Sequence, residues 1–323
     1  MNVAIILVNW NGAEDTIACL ESLSKVKEPH YVVVADNLST DDSVQRIQAW
    51  LDAHKDNPVV MQYQLLQLDA NYGFAVGNNK ALSVAMQRNP DYCMLLNNDT
   101  EVEPDFLKHL TDYIQVNPQV KALSPCISYY YDKEKIWFSG GKLTFASRKR
   151  LYANKTTSEL PSEPFPISYL SGCALMFHPS LLNAKQELLY NGFFFGEEDY
   201  EFALRMNKQK VKMACVPRSI VYHKVGSSQK KTNDSVGLGR IYMYYHNRLI
   251  SVRLHMPRWK FFLNRTLTCA NCLHYFKAYT GSWSIAYKLV CRLVTDTTHK
   301  EAFDYADFKA LMIDGNYFPF NCK

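Results

Sequence analysis

Asn97, Asn98 and Asp99 follow the apolar run Tyr92-Cys93-Met94-Leu95-Leu96 without a break. A carboxylate flanked by amide oxygens suits a hard divalent cation that carries phosphate oxygens. Asp36 closes the earlier apolar run from Tyr31 to Ala35, where a carboxylate can accept a hydrogen bond from a base or a ribose hydroxyl. Glu198 and Asp199 follow Phe193-Phe194-Phe195-Gly196. A partly desolvated carboxylate there could act as a general base. His223 stands before Gly226-Ser227-Ser228, as a further metal ligand or a donor to phosphate. Each has a plainer explanation. Asn-Asn-Asp favours turns, Asp36 and Asp41 can cap the next helix, acids suit a helix N-terminus, and a single histidine is commonly structural. What separates the two views is where the chain puts these residues.

Val3 to Val8 is a continuous apolar run ending in Asn9-Trp10-Asn11-Gly12, as expected of a parallel strand covered on both faces. Ala13 to Val26 has helical spacing. Tyr31 to Ala35 is a second strand, and Thr40 or Asp41 is placed to cap a helix running through Leu51. Val59 to Leu68 is the third strand candidate. Asn71-Tyr72-Gly73-Phe74-Ala75-Val76-Gly77-Asn78-Asn79 leads into a helix to about Arg88, and its glycines allow close backbone approach to a ligand. The run before Asn97 is the fourth strand, and Pro104 stands where a further helix should start. Four strand–helix units imply a parallel, doubly wound sheet, with ligands expected at the C-terminal strand edges. The first loop lacks GxGxxG, which disfavours a dehydrogenase-type dinucleotide fold.

Beyond Val120 the texture changes to short strand-like pieces around Gly140-Gly141. Arg148 to Pro166 reads as a mobile polar loop, Tyr169 to Phe177 as a strand, and Gly196 to about Lys208 as a helix. A strand pair follows at 212–216 and 220–223, and from Leu238 the chain is mostly helical, aromatic and basic. There are no internal repeats.

With 47% hydrophobic and 21% charged residues, the composition is that of an ordinary globular protein. The first apolar run lacks the basic lead-in and cleavage site of a signal peptide, and no stretch approaches the roughly 20 apolar residues that span a bilayer. Nine cysteines without a framework fit a reducing cytosol. Cys269 and Cys272 form a lone CxxC, better explained by helix packing than by zinc. The net charge of +5 conceals a polarity. Residues 205–300 carry 18 bases against two acids, and the remainder 18 bases against 29 acids. The C-terminal third is therefore expected to face phosphate, on a membrane surface or a nucleic acid.

Taken together, the motifs resemble those of family 2 glycosyltransferases of the GT-A fold, in particular the rhamnosyltransferase-like branch of bacterial polysaccharide assembly. The resemblance rests on Val8 to Gly12, Val34 to Asp41, Asn71 to Asn79, Leu96 to Thr100, Ser171 to Ala174, Gly196 to Glu201, and His223 with Gly226 to Ser228. It spans about residues 3–250. It implies a GT-A α/β catalytic domain over 1–230, with a nucleotide-binding half at about 1–118, an acceptor half at about 119–230, and a basic helical region over 231–323. It implies an inverting hexosyltransferase working in the cytoplasm. The donor would be dTDP-rhamnose or a UDP-hexose, and the acceptor a saccharide or lipid-diphosphate-linked saccharide. The inner-membrane surface would be a further partner, and nucleic acid would not be one.

The same resemblance implies that Asn9, Asn11, Asp36, Asn71, Gly73, Asn78 and Asn98 bind the nucleotide sugar. Asp99 and Asn97 would hold Mg²⁺ or Mn²⁺, with His223 compensating for the asparagine at the first metal position. Asp199 would be the general base, with Glu198 or Glu201 as competitors. Where relatives tend to show Tyr-Tyr-x-x-Arg-Asn, this chain has Tyr244-Tyr245-His246-Asn247-Arg248. The rivals are a same-fold sugar-nucleotide pyrophosphorylase, which lacks support for want of a Gly-rich, basic loop after the first strand, and a nucleic-acid-binding protein using residues 205–300.

Overall fold

The computed structural model describes residues 1–55, 60–145, 147–225, 234–299 and 303–318. Its elements are β1 (Val3–Asn9), α1 (Ala13–Leu23), β2 (His30–Asp36), α2 (Ser43–Ala53), β3 (Val60–Gln67), α3 (Gly73–Ala85), β4 (Tyr92–Leu96), β5 (Thr100–Val102), α4 (Phe106–Val116), β6 (Val120–Tyr129), β7 (Asp132–Phe138), β8 (Gly141–Leu143), β9 (Arg148–Arg150), β10 (Phe165–Ile167), β11 (Ala174–Phe177), α5 (Glu198–Lys208), β12 (Lys212–His223), α6 (Asp234–His255), α7 (Arg258–Thr280), α8 (Trp283–His299) and α9 (Tyr305–Met312). The chain divides into two compact units. One comprises residues 1–71, 77–189 and 209–227, the other 72–76, 190–208 and 228–323.

The first unit is built on one mixed sheet in the order β10-β12-β6-β11-β4-β1-β2-β3, with β5 on β12 and β7 on β6. β4, β1, β2 and β3 run parallel, and the side chains of β1 and β2 are almost wholly buried. Their unbroken apolar runs follow from cover on both faces. β11 then runs antiparallel to β4, and β12 returns parallel to β6. The second unit packs α6 to α9 around Leu238, Tyr242, Cys272, Phe276, Leu289 and Leu293, all buried. The lone CxxC lies within α7, and Cys272 belongs to this core.

Several sequence expectations need correcting. Arg148 to Pro166 is not a featureless loop, because β9 pairs with β8 and β10 adds an edge to β12. Pro166 is tolerated because an edge strand loses little with a missing N–H. The expected strand pair at 212–223 is the single strand β12, whose register against β6 jumps from Val216 to Ile220. That jump absorbs Pro217, and the buried Ser219 hydroxyl donates to Phe106 O at 2.8 Å. β6 is one ten-residue strand rather than short pieces. Pro104 precedes α4, which starts at Phe106 with Asp105 as its cap residue. At α2, Asp41 accepts from the Ser43 N–H at 3.0 Å, whereas Thr40 turns its N–H to Asn11.

Candidate active site

The order β4-β1-β2 brings three polar strand ends together at the C-terminal edge of the first unit's sheet. Register places Asn9 beside Asp36, and the Asn9 amide donates to Asp36 Oδ2 at 2.8 Å. Ser39 is the hub of this corner. Its hydroxyl donates to Asp36 Oδ2 at 2.6 Å and accepts from Asn9 Nδ2 at 3.1 Å and from the Asn11 N–H at 2.8 Å. Its own N–H donates to Asp36 Oδ1 at 2.9 Å. Asn11 Oδ1 in turn accepts the Thr40 N–H at 2.8 Å. The chain continues through Thr16, which donates to Asn9 Oδ1 at 2.8 Å and accepts from Asn98 Nδ2 at 2.9 Å.

Four predicted residues, Asn9, Asn11, Asp36 and Asn98, therefore share one network with Ser39 and Thr16, which the sequence reading did not single out. Asp36 is buried and takes three hydrogen bonds from its own corner, so much of its accepting capacity is already used. Asn11 and Leu38 both hold left-handed backbone, with φ of 52° and 60°. Asparagine tolerates this readily and leucine does not. Asn71 joins the same unit by accepting from Asn37 Nδ2 at 2.9 Å, and Asn78 is buried on α3.

Asp99 and His223 meet because β5 pairs with the end of β12, setting His223 opposite Thr100. His223 Nε2 lies 3.2 Å from Asp99 Oδ1, and Trp137 packs edge-on against the imidazole at 4.6 Å. Burial opposes a charge on His223. The Cys173 thiol and the Asp99 carboxylate outweigh it and raise the ring to about 10. A cation taking this imidazole as a ligand would have to displace that proton. Asn97 Oδ1 is buried without a hydrogen-bond partner among the described residues, while the Asn97 backbone is fixed to Cys173 O at 2.8 Å.

Among the described residues there is no group of three or more His, Cys, Asp or Glu suited to a metal. The donor set on offer is one carboxylate, one amide oxygen and one imidazole. It fits a cation that draws its remaining ligands from phosphate and water. Gly226-Ser227-Ser228 lies outside the described residues.

The second unit carries Glu198 and Asp199 at the start of α5, after a turn with left-handed backbone at Gly196 (φ 88°) and Glu197 (φ 71°). Asn247 of α6 clamps this turn, its amide donating to Phe195 O at 3.1 Å and Gly196 O at 2.8 Å. Glu198 Oε1 accepts the Gly196 N–H at 2.6 Å. Burial, with the charges of Asp199 and Glu197, raises Glu198 to about 8. Asp199 is the most exposed of these three acids.

Glu201 is committed elsewhere, to His255 at 2.7 Å and Arg205 at 2.9 Å. Burial pushes its carboxyl up, but those two partners prevail and hold it below its ordinary value. Arg248 lies over the Tyr200 ring at 4.9 Å and donates to Tyr244 Oη at 2.6 Å. Gly73 makes its close approach to protein, with Phe74 N–H donating to Phe194 O at 2.9 Å. A surface cavity of about 660 Å³ lined by Pro90, Asp91, Tyr92 and His178 opens at the start of β4, the opposite end of that strand from Asn97 to Asp99.

A parallel half-sheet with polar loops at its C-terminal edge, extended by antiparallel strands and helices, is the GT-A arrangement. The model described as Glycosyl transferase family 2 matches residues 4–184, more than half of the chain, and the chain belongs to this family. It is a glycosyltransferase. Among solved structures it is similar to the mannosyltransferase PcManGT from Pyrobaculum calidifontis in complex with GDP-Man and Mn²⁺. The identity is 15%, the match covers 97% of this chain and 79% of that one, and the TM-score is 0.57. It is also similar to S. aureus TarS 1-349, at 13% identity over 98% of this chain and 89% of that one, with a TM-score of 0.53. GalNAc-T7 with UDP, GalNAc and Mn²⁺ matches at 16% identity over 93% and 58%, with a TM-score of 0.58. Such identities speak for the fold. No curated protein sequence matches.

Proposed function

We propose that this glycosyltransferase inverts the anomeric centre as it moves a sugar from a nucleotide-diphosphate donor to a saccharide or lipid-linked saccharide acceptor. The donor is dTDP-rhamnose or a UDP-hexose, and the setting is bacterial surface-polysaccharide synthesis at the cytoplasmic face of the inner membrane. The observation that carries the reading is the Asp99–His223 pair at 3.2 Å, with the buried Asn97 oxygen contributed from two residues earlier in the chain. Further support comes from structural relatives that hold GDP-Man with Mn²⁺, and UDP-GlcNAc.

In this reading Asn9, Asn11, Asp36 and Asn98 bind the nucleotide, together with Asn71, Gly73 and Asn78. Asp99, Asn97 and His223 hold Mg²⁺ or Mn²⁺. The cation, when bound, neutralises the charge that grows on the departing diphosphate. Asp199 takes the proton of the acceptor hydroxyl as its oxygen bonds to the anomeric carbon and the bond from that carbon to the diphosphate oxygen breaks. Glu198 is buried and accepts the Gly196 N–H at 2.6 Å, whereas Asp199 is the more exposed of the two, which favours Asp199 for reaching an acceptor hydroxyl.

The test is a panel of nucleotide sugars scored by thermal shift and by donor hydrolysis, repeated with Asp199→Asn. One nucleotide sugar should stabilise both proteins, and turnover in the variant should fall by roughly 10²–10⁴-fold. Wild-type turnover in Asp199→Asn would remove the assigned base.

A further inference from the structure

α7 is apolar on two faces. Its buried side contributes Cys272 and Phe276 to the core of the second unit. Its solvent side carries Trp259, Phe262, Leu263 and Leu267, which are 62%, 53%, 45% and 46% exposed. At 3.6 residues per turn these four fall, with the exposed Ala270, within an arc of about 140°. Lys260 sits just beyond one edge of that arc, and Arg258 and Arg265 just beyond the other. Lys260 lies over the Trp259 ring at 5.4 Å, and Arg265 over Phe262 at 5.0 Å. The 23 residues of α7 include four lysines and arginines and no acid. α8 adds Trp283 and Tyr287, also strongly exposed, with Lys277 5.8 Å from the Trp283 ring.

An exposed apolar stripe with cationic borders on both sides has the pattern of a helix lying in the interface of a bilayer. Aromatic side chains sit at the headgroup level, and lysines and arginines meet anionic lipid. A nucleic acid would also draw the basic side chains, but it gives no use to the exposed aliphatic Leu263 and Leu267 within the stripe. Among the described residues no helix is long and apolar enough to cross a membrane, so the contact is one of lying on the surface.

We propose that the outer face of α7, from Trp259 to Ala270, docks this enzyme on an anionic lipid bilayer. The inference deepens the proposed membrane location and rests on it.

The experiment is co-sedimentation of the full chain with vesicles of phosphatidylcholine alone, or with roughly one third phosphatidylglycerol. Two variants accompany the wild type, Phe262→Ser with Leu267→Ser, and Lys260→Glu with Arg265→Glu. Wild type should bind the anionic vesicles about tenfold more tightly than the neutral ones. Each double variant should lose roughly tenfold of that affinity. These side chains are exposed, so thermal unfolding and the donor-induced thermal shift should stay at wild-type values. Loss of vesicle binding with an intact donor response therefore concerns α7 alone. A missing donor response with vesicle binding intact would count against the catalytic reading while sustaining the docking face. Absence of wild-type binding at low salt would overturn the proposal, as would wild-type binding by the Phe262→Ser, Leu267→Ser variant. A salt-sensitive RNA complex in place of vesicle binding, or a dimer that these substitutions dissociate, would give the face another occupant and overturn it too.

Discussion

The side-chain amide of Asn247 donates to the carbonyl of Gly196 at 2.8 Å, joining α6 to the turn that delivers Glu198 and Asp199. The same amide reaches Phe195 O at 3.1 Å. A turn with left-handed backbone at both Gly196 and Glu197 needs such external restraint, since conformations of this kind persist only where their surroundings enforce them. Asn247→Ala should lower kcat by roughly 10–100-fold through misplacement of the acids, with donor KM unchanged. The lost hydrogen bonds should cost about 1–3 kcal/mol in chemical denaturation. Asn247→Asp keeps the shape but presents oxygens to both carbonyls, so it should be at least as impaired. Near-normal kcat in the Asp variant would reduce Asn247 to a space-filling role.

Asp99 and His223 form the second pair whose removal is informative. Asp99→Ala should weaken Mn²⁺-dependent binding of the donor nucleotide by roughly 10–150-fold, the worth of a hydrogen bond to a charged group. His223→Ala should weaken it in the same metal-dependent manner, because the two side chains are 3.2 Å apart and would face one cation. Calorimetric titration with and without Mn²⁺ separates this from general damage. Unaltered affinity in the presence of the metal would strip both residues of the role.

Much of the parallel half of the sheet is legible in the sequence because its strands are buried on both faces and read as unbroken apolar runs. Val3 to Val8 and Tyr92 to Leu96 are of this kind. Their polar ends, Asn9, Asp36 and Asn97 to Asp99, stand out by contrast. The antiparallel half is less legible. Pro217 interrupts β12 in sequence, while the register jump tucks it away, and β10 is a three-residue edge strand whose partner lies far along the chain. Ser39 is hidden for a different reason. Its type and spacing suit a turn, and only pairing of β1 with β2 makes it the hub for Asn9, Asn11 and Asp36. Asn247 is 51 residues from Gly196, and no local pattern signals a contact over that span.

The elevated Glu198 sets a pH dependence whose sign can be worked out. Its folded value of about 8 lies above the ordinary 4.5, so between those limits the folded state holds the proton more tightly than the unfolded chain. Its contribution to stability is complete below about 4.5 and is lost as the pH rises through about 8. Glu198→Gln has no proton to lose. The melting temperature of the variant relative to wild type should therefore climb from pH 5 to pH 8 and level off beyond. A difference that stays constant across that range would show Glu198 to titrate normally.

Gly73 and Gly77 share one motif but face different constraints. Gly73 has φ of 73°, and a Cβ there would come within 2.0 Å of Phe194 O. Gly73→Ala must therefore displace backbone as well as adopt a disfavoured conformation, at a cost of about 2–5 kcal/mol. A Cβ on Gly77 would meet Val8 Cγ1 at 3.4 Å and Asn37 at 3.6 Å, which is ordinary contact. Gly77 lies inside α3, where alanine gains about 0.5–1 kcal/mol over glycine. Urea denaturation should thus move the two variants in opposite directions. A weakened donor response in a stable Gly77→Ala protein would mean that the donor, rather than the fold, requires the missing side chain at Gly77. Equal destabilisation of both variants would contradict the packing difference between them.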